Sequence, residues 1–316
     1  MKIHQIVLTK IDPNDRQYDY HYEKFDAQSL RRSIRAHGIL TPVVLEQMDA
    51  GYRIVHGFRR VDLAQEQQIE QIPGIISDQL PLENLQWSLI DNRVQGELNL
   101  YEQSKAIQAA HGLGATASEI IADILPLLGL HSHKNVYDEY RGFIRLPQPL
   151  IDFFVSKDTP ISRTQVFQNL SEKGLEIAVE LLERFSPGIN VLDELVTNLH
   201  EISRREEQPV PATYAELNVE SLLEEAGQPH IALGEIRHKL QEYRYPVLSE
   251  SNEKIDKLTS QLHLGEHATI HWDKRLENRG INVTYHWERL EDVDQSAQRL
   301  VKRENMEVFE EIFGRV

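Results

Sequence analysis

The chain has 316 residues, of which 40% are hydrophobic and 27% charged, and a formal net charge of −16. That length suits two or three domains with cores of their own. The absence of cysteine excludes a disulfide framework and thiolate metal sites, and the acidity, present in every third of the chain, argues against tight nonspecific binding to nucleic acid.

No apolar run approaches membrane-spanning length and no signal peptide is apparent, so the expectation is a cytoplasmic protein with no membrane contact. The 14 histidines lack the HExxH spacing of a zinc site.

In chain order, Ile3 to Leu8 is predicted as a strand, and Ile11-Asp12-Pro13-Asn14 is a turn signal. The aromatic run from Tyr18 to Tyr22 reads as a partly packed surface loop. Ala27 to Ala36 has helical spacing, with Leu30 and Ile34 apolar, and Gly38 suits its C-cap. Pro42 to Leu45 and Tyr52 to Val55 read as strands, Val61 to Gln68 as a helix, and Leu82 to Asn92 as another. Strands alternating with helices predict a small mixed α/β unit.

Two places in this unit carry chemistry. Gly57-Phe58-Arg59-Arg60 lies at a strand-to-helix turn. A glycine admits close backbone approach, a helix N-terminus offers free N–H groups, and arginine supplies bidentate donors, all suited to phosphate. The plainer reading is two solvated arginines beside an ordinary turn. Asp91-Asn92 pairs a carboxylate with an amide, which suits Mg²⁺ bridging to phosphates. The plainer reading there is a polar helix end.

From Leu100 the pattern is helical to about Arg205. Tyr101 to Ala110 is one helix, and Thr116 or Ser118 caps the next, whose stripe is Ile120, Ile121, Ile124 and Leu125. Lys134 to Ile144 follows, offering Lys134, Asn135 and Arg141 for base edges, although Asp138 and Glu139 share that helix. Further helices open at Pro160-Ile161-Ser162-Arg163 and cover 176–185 and 191–202, and Arg204 to Pro211 reads as a linker. Beyond it, 215–226, 231–243 and 255–264 look helical. Ala268 to Trp272 and Ile281 to Trp287 alternate as strands joined through Arg279-Gly280, and Leu290 to Lys302 is helical.

Three blocks in the first third resemble the ParB/sulfiredoxin superfamily, and within it the ParB branch. The first is Leu30, Ser33-Ile34, Gly38-Ile39-Leu40 and Pro42-Val43-Val44; the second is Gly57-Phe58-Arg59-Arg60 with Ala64 and Ile72-Pro73; the third is Ile90-Asp91-Asn92 with Leu98-Asn99 and Glu102. Glu83-Asn84-Leu85-Gln86 copies the family's letters for the third block, but it comes too early and lacks the following Leu-Asn-x-x-Glu.

The resemblance implies a ParB/sulfiredoxin-like nucleotide-binding domain over 1–98, a helical helix-turn-helix domain over 99–205, a linker with helices over 206–250, and a small α+β self-association domain over 251–316. It also implies CTP with Mg²⁺, with Gly57, Arg59 and Arg60 on the phosphates, Asp91 on the metal and Asn92 on the nucleotide. DNA contacts through Lys134, Asn135 and Arg141, a homodimer, a partner ATPase and a role in partitioning or transcription control follow from the same likeness. Two departures bear on turnover. Phe58 stands where the family has Glu, and Asp62 where it often has Arg, so slow CTP hydrolysis or none is expected, and Phe58→Glu is expected to raise it. No catalytic residue is named. Without cysteine, sulfiredoxin chemistry is excluded. Two other readings stand beside this one: a small-molecule kinase acting on a serine-like substrate, with Glu23 or Asp26 as base, and a nucleotide-free adaptor.

Overall fold

A computed structural model describes residues 2–22, 28–265, 267–278 and 280–315, apart from the side chains at 94, 95 and 290. The chain forms two compact units, Met1–Asp193 and Glu194–Val316. The boundary falls inside one helix.

The first unit begins with a four-stranded mixed sheet. In sequence order its elements are β1 (Ile3–Val7), α1 (Gln28–His37), β2 (Val43–Met48), β3 (Gly51–His56), α2 (Phe58–Glu66), β4 (Gln71–Ser77) and α3 (Pro81–Gln95). The spatial order is β1-β4-β2-β3. β2 and β3 form an antiparallel hairpin, β4 returns parallel to β2, and β1 closes the far side antiparallel to β4. Leu45, Ile54 and Ile72 of the sheet are wholly or almost wholly buried, as are Leu85 and Leu89 of α3. Gly38 closes α1 in the left-handed region, its N–H donating to the Ile34 carbonyl.

The aromatic run departs from the expected surface loop. Tyr18 and Tyr20 are fully buried, each with its hydroxyl paired: Tyr18 to Glu46 at 3.0 Å and Tyr20 to Ser88 at 3.0 Å. A tyrosine can enter a core when its oxygen finds a partner there, and no periodicity announces those partners.

Helices complete the unit: α4 (Leu100–Gly112), α5 (Ala117–Glu119), α6 (Lys134–Phe143), α7 (Gln148–Ser156), α8 (Gln165–Gln168), α9 (Glu172–Phe185) and α10 (Ile189–Arg205), the last crossing the boundary. The Leu-Asn-x-x-Glu tail of the third block is a capping box. Asn99 accepts from the Glu102 N–H at 3.1 Å, and Glu102 accepts from the Asn99 N–H at 3.2 Å. Thr116, not Ser118, caps α5 in the same way with Glu119. Ile120–Ile124 then winds as one π-turn, which carries Ile120, Ile124 and Leu125 into the core. The helix expected from Pro160 is a short 3₁₀ turn, Ile161–Thr164, running into α8.

The second unit holds the rest of α10, then α11 (Val210–Glu216), α12 (Val219–Ala226), α13 (Pro229–Arg244), α14 (Pro246–Ser260), β5 (Ala268–Trp272), β6 (Ile281–Tyr285), α15 (Leu290–Leu300) and α16 (Arg303–Phe313). Between α10 and α11 only residues 206–209 connect, a shorter link than 204–211, since proline is at home in a first helical turn. Asn218, at φ +49°, splits the helix expected over 215–226 into two. β5 and β6 pair antiparallel, and alternate residues of both strands face a small core of Ile255, Leu258, Leu264, Phe309 and Ile312. The last helix, α16, supplies two of those residues and had no counterpart in the sequence pattern. Arg279 lies outside the described residues.

Candidate functional site

β3 ends at His56, and the chain turns into α2 through Gly57 at φ +101°, a left-handed conformation. A Cβ there would lie 2.9 Å from Val43 Cγ1 and 3.0 Å from an Arg60 nitrogen, so glycine is required on two counts. Gly57 brings no side chain to cap the helix, which leaves the N-terminus of α2 able to accept an outside anion.

The two arginines diverge. Arg60 folds back over the turn and donates from Nη1 to the carbonyls of Thr41 at 2.5 Å and Pro42 at 2.9 Å. Burial lowers its pKa, and the charge of Asp91 opposes that shift. Arg59 points toward the helical part of the unit. Its Nη2 lies 3.5 Å from the Tyr22 carbonyl and 3.8 Å from Glu102 Oε1. Glu102 thus caps α4 with one oxygen while its other faces Arg59 and accepts from the Tyr22 N–H at 3.3 Å.

Asp91 and Asn92 also part company. Asp91 Oδ2 lies 2.9 Å from His56 Nε2, while Asn92 donates to the Tyr20 hydroxyl and lies 3.4 Å from His21 Nε2. Burial, aided by the positive charge of Arg60, pushes the His56 pKa down to about 4, against the pull of Asp91. His56 is therefore neutral at pH 7. With Nε2–H donating to Asp91, Nδ1 accepts from the Ser88 hydroxyl at 3.3 Å, and Ser88 in turn accepts from Tyr20 at 3.0 Å.

A cavity of about 540 Å³ gathers part of this set. Thr41, His56, Arg60, Ser88 and Asp91 give it polar walls, and Val44, Val55, Ile75 and Trp87 apolar ones. A half-buried cation in the wall of a largely apolar recess suits a ligand with an anionic end and a flat, less polar body. Asp91 is the one carboxylate among the described lining residues, and no group of three or more metal-ligating side chains occurs among the described residues. That donor set does not cage a cation by itself. It fits Mg²⁺ that arrives on phosphates, since magnesium needs only one or two protein carboxylates in that case.

Phe58 is 2% exposed and is not among the cavity's lining residues. Its ring lies beneath the Arg16 guanidinium at 5.4 Å and beside His21 at 6.2 Å. Arg16 also pairs with Asp62, at 2.7 Å and 3.2 Å, so the residue that departs from the family's arginine is held by an arginine from the tyrosine loop. Sequence reasoning missed His56, Ser88, Trp87 and Tyr20. Trp87 and Ser88 stand four and three residues before Asp91 on α3, so helical spacing alone could have placed them on its face.

On α6, Lys134, Asn135 and Arg141 are exposed, while Tyr137, Tyr140 and Phe143 are buried. Lys134 Nζ is 2.9 Å from Asp138 Oδ2, one turn on. Glu139 turns aside and accepts from the Gln165 amide at 2.5 Å. Glu23 and Asp26, the candidate kinase bases, lie outside the described residues.

Residues 1–93 match the ParB N-terminal domain family. Over that span the chain is ParB-like. It is 28% identical over 116 residues to the chromosome-partitioning protein Spo0J of Thermus thermophilus, a match covering 37% of this chain and 43% of that protein. It is 25% identical over 203 residues to the nucleoid occlusion protein of Bacillus thuringiensis, covering 63% of this chain and 68% of that protein. Among solved structures it is similar to the C-terminally truncated chromosome-partitioning protein ParB of Caulobacter crescentus complexed with CTP-gamma-S, at 17% identity and a TM-score of 0.28, covering 57% of this chain and 93% of that one. The match thus spans less than half the length of the Thermus relative. No helix among the described residues of this ParB-like chain is long and apolar enough to cross a membrane.

Proposed function

We propose that this ParB-like chain binds a nucleoside triphosphate, CTP carried with Mg²⁺, and associates with DNA in chromosome partitioning, nucleoid occlusion or transcription control. The observation that carries the nucleotide reading is one cavity in which three sequence blocks meet: Thr41-Pro42, His56 with Arg60, and Asp91. Arg60 and the open N-terminus of α2 meet the phosphates, and Asp91 takes the metal that they bring. Asn92 and Arg59 serve from the side away from the cavity, through Tyr20 and Glu102. Asn84, the amide of the decoy block, also lines the cavity but is already held by Ser77 at 2.6 Å.

The nucleotide's identity as CTP is supported by the Gly57–Arg60 and Asp91–Asn92 blocks that this chain has in common with ParB proteins. DNA association is assigned to residues 116–146 with Lys134, Asn135 and Arg141, self-association as a homodimer to residues 251–316, and a partner ATPase to the same family likeness. Domain spans of 1–98, 99–205, 206–250 and 251–316 belong to this proposal.

Calorimetry with each of the four ribonucleoside triphosphates, with and without Mg²⁺, tests it. Saturable heat for CTP that depends on Mg²⁺ supports the reading. No saturable heat with any of the four removes it and leaves the adaptor.

A further inference from the structure

Asp91 and Asn92 are neighbours in sequence, yet they sit at the two ends of one hydrogen-bonded chain. Asn92 donates to the Tyr20 hydroxyl, Tyr20 to Ser88 at 3.0 Å, Ser88 to His56 Nδ1 at 3.3 Å, and His56 Nε2 meets Asp91 at 2.9 Å. The chain closes on itself through the backbone of α3. Tyr20, Ser88 and His56 are all buried, but the Asp91 side chain is 56% exposed. A carboxylate so exposed near a helix end ordinarily samples several rotamers. Here a buried chain holds one oxygen, and the rotamer is chosen before a ligand arrives.

We propose that Tyr20 is a positioning residue of the nucleotide site: it holds Asn92 directly and Asp91 through Ser88 and His56. The inference rests on the nucleotide reading above. Tyr20 lies in the aromatic run, outside the three blocks, so its role follows from contacts alone. Its ring stacks on His21 at 4.8 Å with the planes 15° apart, which fixes where the hydroxyl can lie. Removing only that oxygen leaves the ring and its packing in place, and it deprives Asn92 and Ser88 of a common partner. Ser88 and His56 can then turn, and Asp91 loses its fixed orientation. A preformed site binds more tightly because less ordering remains for the ligand to cause.

The same loop supplies a control. Tyr18 is as buried as Tyr20, and its hydroxyl donates to Glu46 at 3.0 Å, away from the chain that ends at Asp91. Tyr18→Phe and Tyr20→Phe delete the same atom from the same kind of environment; the Tyr18 hydroxyl also meets Asn84 of the cavity wall, which Ser77 holds at 2.6 Å in any case, but only Tyr20 belongs to the chain that ends at Asp91.

The experiment is CTP titration calorimetry with Mg²⁺ and thermal melting on the full chain, for the wild type, Tyr18→Phe, Tyr20→Phe, Asn92→Ala and the double variant Tyr20→Phe/Asn92→Ala. Tyr20→Phe is expected to weaken CTP about five- to tenfold, the usual worth of a buried hydrogen bond. Tyr18→Phe is expected to lower the melting temperature and leave affinity unchanged. In the double variant the two effects should fall short of their sum, since both act through one chain. If the wild type binds CTP and Tyr20→Phe binds within twofold of it, the positioning role is overturned and the nucleotide reading stands. Equal affinity losses in both Tyr→Phe variants, tracking their melting temperatures, would show a structural residue only. A wild type without saturable CTP heat removes the nucleotide reading and this inference together.

Discussion

His56 Nε2 lies 2.9 Å from Asp91 Oδ2, yet the histidine is neutral. Proximity to a carboxylate ordinarily favours the imidazolium. Here burial outweighs it, and Arg60 adds its own repulsion, so the pKa falls from 6.5 to about 4.

That shift sets a pH window for stability. The unfolded chain protonates His56 near pH 6.5, while the folded chain resists until about pH 4. Unfolding therefore takes up a proton between those values, and stability is lost as the pH falls through them, by up to about 1.4 kcal/mol per pH unit from this group. Urea denaturation at pH 7 and pH 5 measures it. His56→Gln, which has no titrating group, should lose less between the two pH values than the wild type does.

Gly57→Ala should destabilise the first unit by about 1–3 kcal/mol, because alanine strains at φ +101° and its Cβ meets Val43 and Arg60. The same change should weaken nucleotide binding by displacing Arg60. A melting curve unchanged from wild type would contradict the strain argument.

Arg60→Ala should weaken CTP by roughly 1.5–3 kcal/mol, the worth of a charge-assisted contact. Arg60→Lys should restore little. Arg60 already donates to two carbonyls, Thr41 and Pro42, while facing the cavity, and an ammonium lacks the planar fork that does both. Calorimetry on the two variants, side by side, decides whether the planar shape matters.

Phe58→Glu reverses an expectation drawn from the sequence. A glutamate there meets Arg16 in place of the ring, in a position that does not line the cavity. Phosphate release should stay at the wild-type level while the melting temperature falls through lost apolar packing. A clear rise in phosphate release would return Phe58 to the phosphate turn.

DNA binding should be weak and steeply dependent on salt. Lys134→Ala and Arg141→Ala should each lower the slope of log affinity against log salt by about one. Asp138→Asn should strengthen binding, since it frees Lys134 from its present partner. Gel shifts at low salt with random and genomic DNA provide the measurement, and no shift in either would remove α6 from a groove-reading role.

Much of the first unit was legible because local signals agreed. Gly38, Gly57 and the apolar stripes of α1 and α3 each act within a few residues. β4 was not legible, because Pro73 and Gly74 read as strand breakers. Pro73 lies opposite Gln5 of β1, one residue before the parallel register with β2 begins at Gly74. Gly74 is there because a Cβ would come within 2.8 Å of Ile6. At the site, Gly57, Arg60 and Asp91 could be named from their blocks. Tyr20 could not, since 68 residues separate it from Ser88 and a single hydrogen bond joins the two.

The strand order has a consequence for how the protein is made. β1 leaves the ribosome first, but its one neighbour in the sheet is β4, so Ile3 waits for Ile75. Until then β2 and β3 can pair as a hairpin, while the apolar side of Ile6 has no strand to lie against. Closing so long a loop is slow beside helix or hairpin formation. The nascent chain thus carries an open sheet edge through the synthesis of some seventy residues, and the step that covers it, the arrival of β4, is also the step that brings α3 and Asp91 within reach of His56.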